Sequence, residues 1–174
     1  AQTLAFARSR AGVESVALQV REALQVDRPD LVGAVAAYRG GYLPEERREL
    51  ERRLRSRDLM AVAATNALEL GVDISGLDAV VIAGWPGRRA SWWQQAGRAG
   101  REKAQDGRPA REALVVSVAA GDPLDGWLLD HPDYLFGDPV EAIVMDPGNV
   151  HVLAPHVAAA AAELPVTLDD VAWF

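Results

Sequence analysis

Five short, continuous apolar runs, separated by stretches with helical spacing, constrain this chain more than any other feature. They lie at residues 3–7, 31–38, 60–64, 79–83 and 114–118. Runs of this length, apolar on both sides of the pleat, suit strands that are buried on both faces, which is the condition of a parallel sheet. Between the first two, Val13, Val16, Ala17, Val20 and Leu24 recur at helical spacing behind Ser9, a good N-cap residue. Between the second and third, Pro44, Glu45 and Glu46 suit the first turn of a helix expected to run to about residue 57, with Glu49/Arg53 and Glu51/Arg55 pairs four apart on an exposed face. Strand and helix alternating in this way predict an α/β fold, a parallel sheet with helices on both faces, which meets its ligands at the carboxyl ends of the strands.

The 174 residues suffice for one well-buried domain, expected over residues 1–121. After the fifth run the character changes. Asp122-Pro123 opens a helix, and His131-Pro132, Asp138-Pro139 and Asp146-Pro147 punctuate short segments. Residues 122–174 therefore read as an acidic, mainly helical extension, with an alanine-rich helix over 157–164 that packs against a neighbour. The apolar end Val171-Ala172-Trp173-Phe174 suggests that a further region follows in a longer polypeptide.

The net charge of −7 is unevenly distributed. All 18 lysines and arginines lie before residue 112, while residues 112–174 carry eleven acids and no lysine or arginine. The first two-thirds can handle a polyanion, and the last third presents an acidic surface of different purpose. With no cysteine there is neither a disulfide nor a thiolate metal site, and His131, His151 and His156 are too scattered to form one, so no metal site is expected. No apolar run has the roughly 20 residues that span a bilayer, and no membrane partner is expected. A G-x-x-x-x-G-K-[ST] phosphate loop is missing, and the single lysine, Lys103, is in the wrong setting to supply one.

The run Gln94-Gln95-Ala96-Gly97-Arg98-Ala99-Gly100-Arg101 spaces two arginines three apart, with glycines that leave room for a bulky group. If the run is helical, Arg98 and Arg101 share one face and suit a phosphate chain. It resembles motif VI of superfamily 2 helicases. Its companions follow in the family's order: Thr3 to Arg10 is similar to motif IV, Tyr38-Arg39-Gly40-Gly41 to the next block, and Ala64-Thr65-Asn66-Ala67-Leu68-Glu69-Leu70-Gly71-Val72-Asp73-Ile74 to motif V. Gly84-Trp85-Pro86-Gly87, Asp122-Pro123-Leu124-Asp125 and Leu153-Ala154-Pro155-His156 look like the YprA/MrfA-like branch of DEAD/H-box DNA helicases.

The resemblance implies the C-terminal RecA-like lobe of an ATP-driven enzyme that moves 3′ to 5′ on single-stranded DNA and serves DNA repair in the bacterial cytoplasm. ATP with Mg²⁺ would be held mainly by an N-terminal RecA-like lobe of the same polypeptide, so residues 1–174 alone are expected to be inert. By the resemblance Arg98 and Arg101 act as arginine fingers with Gln94 beside them, and Gly71 and Asp73 also face the nucleotide. Ser9, Arg10, Arg39, Gly40, Thr65 and Asn66 hold the nucleic-acid strand, and Glu69 couples the two sites. Other readings stay open. Ser9 serves equally as a plain N-cap, Gln94 as the partner of Ser91 in an S-x-x-Q capping box, and Gly71 as chain geometry. Trp92 and Trp93 are read as packing residues in preference to a base-stacking wedge. An RNA-remodelling lobe, or a clamp that binds nucleic acid without hydrolysis, is the alternative function.

Overall fold

The computed structural model describes residues 1–174 except 69–73, 75, 101–111, 138, 143–145, 147 and 174. Contacts divide the chain into two compact units, Ala1–Glu141 and Ala142–Phe174. The segment 122–141, read from the sequence as the start of an extension, lies in the first.

Among the described residues the first unit is built from β1 (Thr3–Ala7), α1 (Arg10–Asp27), β2 (Val35–Tyr38), α2 (Pro44–Arg55), β3 (Ala61–Ala64), β4 (Ala79–Ala83), α3 (Arg89–Ala96), β5 (Leu114–Val118), α4 (Pro123–Asp130) and α5 (Asp133–Phe136). The strands form one sheet in the order β2-β3-β1-β4-β5, and every pairing is parallel. Leu4 stands opposite Val62 on one side and Val80 on the other, and Phe6 stands opposite Ala64 and Ile82.

Alternation along the strands separates two cores. Val35, Ala37 and Ala63 pack with Val13 and Ala17 of α1 on one face. Leu4, Phe6, Ala36, Tyr38, Val62, Val80 and Ile82 point to the other, where Leu54 of α2, Trp92 and Ala96 of α3 and Leu135 of α5 cover them. The expected sheet with helices on both faces is thus present, but β5, expected from its apolar run to be buried, is an edge strand whose Leu114, Val116 and Val118 are exposed among the described residues.

The second expected strand is shorter than its apolar run. Pro29–Ala34 forms a 3-10 helix, and only Val35–Tyr38 joins the sheet. Pro29 and Asp30 supply a first-turn proline and acid, which favour helical turns at that position over extended chain. On α2, Arg55 reaches Glu51 at 3.5 Å as expected, but Arg53 donates to the carbonyl of Gly33 at 3.0 Å instead of pairing with Glu49, which Arg52 takes at 2.6 Å. Buried Gln2 ties the end of α2 to the start of β3: its amide donates to the carbonyls of Leu54 and Leu59, each at 2.7 Å.

In the second unit α6 (Val150–Glu163) starts earlier than the alanine-rich run, with the Asn149 side chain accepting from the His151 N–H at 3.0 Å, and none of its residues is buried. Among the described residues no helix is long and apolar enough to cross a membrane.

Leu59 is fully buried where α2 turns into β3. Leu59→Ala is expected to cost about 2–5 kcal/mol, read as a lower urea midpoint, while Leu18→Ala on exposed α1 surface should shift stability by less than about 0.5 kcal/mol.

Candidate nucleotide and strand interfaces

The candidate strand residues follow the carboxyl ends of three strands that are neighbours in the sheet. Arg39 and Gly40 follow β2, Thr65 and Asn66 follow β3, and Ser9 and Arg10 follow β1. Three adjacent strand ends span roughly 10 Å. Ser9 caps α1, its hydroxyl accepting from the Gly12 N–H at 3.0 Å. Arg10 and Arg39 converge over Gly41: a Cβ there would lie 3.2 Å from Arg39 Nη1 and 4.0 Å from Arg10 Nη1. Arg39 also bonds Glu14 at 2.8 Å and stacks on Tyr42, 4.8 Å from the ring centre. That bond to Arg39 holds the Glu14 carboxyl below its usual range. Thr65 Oγ1 lies 3.4 Å from the Ala67 N–H and is half-buried, whereas Asn66 is exposed.

Motif VI is placed at the other edge. From Arg89, beyond the carboxyl end of β4, α3 runs back to Ala96, and Ala99 then bridges Leu77, just before β4 begins. The helix ends before it reaches either arginine. Gly97, a poor helix former, closes α3; Arg98 N–H and Ala99 N–H bond three residues back, to Gln95 and Ala96; and Gly100, at φ +67°, bonds the Leu77 carbonyl at 3.1 Å. Arg98 therefore sits in a turn and not on the helix, and it is 6 % exposed. Gln94 is half-buried on α3. Glu69, Gly71, Asp73 and Arg101 lie outside the described residues.

The S-x-x-Q capping box is not formed. Ser91 is inside α3, whose N-cap is Arg88, and the first N–H groups go to a distant carboxylate: Glu141 accepts from Arg89 at 2.6 Å and from Ala90 at 3.0 Å. These bonds, the Ala90 one first, hold the Glu141 carboxyl below its usual value. The tryptophans pack. Trp92 is buried and donates to Ser117 Oγ at 2.9 Å; Trp93 is 42 % exposed and donates to the Leu135 carbonyl at 3.0 Å; both meet Phe136 edge-on.

A feature that the sequence reading did not single out lies beside the strand residues. Between the ends of β1 and β4 a cleft of about 420 Å³ is lined by Arg8, Asn66, Trp85, Arg88, Ser91 and Gln95, with Gly84 at its back. Buried Asp125 fixes its wall: the carboxylate accepts from the Trp85 N–H at 2.9 Å and from the Ala120 N–H at 2.5 Å. The D-P-L-D run after the fifth strand was the available signal, because its first Asp caps α4 and its second is left to turn inward. Among the described residues no group of three or more His, Asp or Glu is placed to hold a metal ion.

A family model described as the helicase conserved C-terminal domain matches residues 1–103. The chain is 44% identical over 171 residues to the uncharacterized ATP-dependent helicase YprA of Bacillus subtilis, covering 97% of this chain and 21% of that protein. It superposes with a TM-score of 0.81 and 44% identity on the DUF1998 helicase MrfA bound to DNA and AMPPNP, covering 94% of this chain and 22% of that one. For the Mycobacterium smegmatis helicase Lhr bound to ssDNA and AMP-PNP the TM-score is 0.70 and the identity 30%, over 97% of this chain and 21% of that one. The chain spans about a fifth of the length of each of these relatives.

Asp125→Ala is expected to leave two backbone N–H groups without their acceptor, at about 1–3 kcal/mol each, measured as a lower thermal midpoint. Glu141 makes an acid-side prediction. A carboxyl held below its ordinary 4.5 stabilises the fold above that pH and loses its contribution as pH falls through the lower folded value. Melting temperature should therefore drop more steeply below pH 4.5 in the native chain than in Glu141→Gln.

Proposed function

The chain belongs to the family of helicase conserved C-terminal domains, and from that premise we propose that it is the second motor lobe of an ATP-dependent DNA helicase. In this reading the strand crosses the carboxyl edge on Ser9, Arg10, Arg39, Gly40, Thr65 and Asn66. Helix N-termini and arginines at strand ends suit phosphates, and Arg39 exchanges Glu14 for the strand when it binds. ATP with Mg²⁺ sits chiefly on an N-terminal RecA-like lobe of the same polypeptide. Arg98 and Arg101, with Gln94, Gly71 and Asp73, face it from this side of the cleft and stabilise the transferring phosphoryl group, a contribution of about 10³ to 10⁵ in rate for an arginine finger.

One observation carries the reading: the strand residues and the Arg98 turn occupy opposite edges of one sheet, and the segment 66–77 is one of the connections that run between those edges. Glu69 belongs to that segment, which suits a coupling role. We assign the enzyme 3′ to 5′ movement on single-stranded DNA, a role in DNA repair and a place in the bacterial cytoplasm. With no phosphate loop of its own, the lobe hydrolyses nothing by itself.

The test is ATP hydrolysis by the full-length protein with single-stranded DNA, matched RNA or no strand. Stimulation by DNA is expected; stimulation by RNA alone would make it an RNA-remodelling lobe, and strand binding without turnover a clamp. Arg101→Ala is expected to abolish hydrolysis with strand affinity nearly unchanged, and Thr65→Ala to weaken strand affinity or its coupling to hydrolysis. Wild-type turnover in Arg101→Ala would overturn the finger assignment.

A further inference from the structure

Resting on the reading of this lobe as strand-binding, we propose that the cleft between the ends of β1 and β4 holds one nucleotide unit of the strand, with its phosphate on Arg8 and Arg88 and its base against Trp85. The cleft continues the row of strand residues by one position, because β4 is the next strand after β1 and Asn66 belongs to both. Its volume of about 420 Å³ lies within the range of small-ligand sites.

Charge points to an anion. The chain has 25 acids against 18 basic side chains, yet the described residues lining the cleft include two arginines and no carboxylate. Arg8 lies across the backbone of Gly84, whose φ is +79°; a Cβ there would fall 3.1 Å from Arg8 Nε. Glycine therefore serves twice, allowing the turn and letting the guanidinium approach closely. The partner that holds Arg8 is weak. Asp122 is 3.4 Å away in a solvent-exposed pair, where water screens the attraction. Asp122 also accepts from the Asp125 N–H at 2.9 Å, so it keeps a donor when Arg8 turns to a phosphate.

Trp85, which also lines the cleft, suits a base. Trp85 is held through its backbone by Asp125 and lies tilted against Tyr134 at 6.4 Å, so its position is set before any ligand arrives. An aromatic face takes any base, as single-strand binding requires, and the exposed amide of Asn66 stands at the same cleft to meet its polar edge.

The experiment uses the full-length protein and oligothymidylates that each carry a single 5-iododeoxyuridine. Irradiation followed by peptide mapping is expected to place a crosslink on Trp85. In parallel, Arg88→Ala, a change at an exposed position, should weaken binding of unmodified oligothymidylate and lower the slope of log affinity against log salt by about 0.7, the value of one single-strand phosphate contact. Crosslinks confined to other residues and an unchanged salt slope, while DNA still stimulates hydrolysis, would overturn the cleft and leave the motor reading intact. A Trp85 crosslink without stimulated hydrolysis would support the cleft and overturn the motor reading. Failure of the native protein to bind the oligonucleotide at all would overturn both.

Discussion

Parallel pairing dictates where chemistry can sit in this molecule. When every strand runs the same way, all carboxyl ends open on one edge and every connection must return to the other before the next strand begins. Residues that follow strands are therefore neighbours whatever their separation in sequence, as Arg39, Thr65 and Ser9 are. Residues that end a returning helix are delivered to the far edge, as Arg98 is. The polar order β2-β3-β1-β4 also places β4 beside β1, so the loop after β4 joins the row begun by β2.

The loops of the carboxyl edge are fastened by acids from a single late stretch. Asp122 caps α4 and meets Arg8, Asp125 holds the turns after β4 and β5, and Glu141 caps α3 across 51 and 52 residues of sequence. By charge alone residues 112–174 look like an acidic exterior, but Asp125 is 4 % exposed and is structural. A buried carboxylate is stable here because two backbone N–H groups meet its oxygens.

Much of this was legible in the sequence, for identifiable reasons. The bounds of β1 and β4 coincide with their apolar runs because charged, polar or glycine residues flank them. The N-caps Ser9 and Asp122 are readable because a side-chain oxygen at a helix start has few other uses. The 31–38 run misled because apolar composition does not separate a 3-10 turn from a strand, and Pro29 decides between them. The helix through Gly97 misled for a related reason: spacing of two arginines says which face they would share, not whether the helix survives two glycines. The cleft was least legible. Arg8, Trp85 and Arg88 come together only through the pairing of β1 with β4 and through Asp125, and neither is a local property of the chain.

The two kinds of arginine in this lobe differ in what contact with an anion demands of them. Arg8 and Arg88 are exposed, and a ligand that immobilises either must offset rotamer entropy of about 2 kcal/mol per side chain. Arg98, at 6 % exposure, lost that freedom when the chain folded. An anion reaching it meets a side chain already ordered, so the interaction is decided by how well the opposing surface fits and how dry the approach is, and hardly at all by the cost of arresting motion.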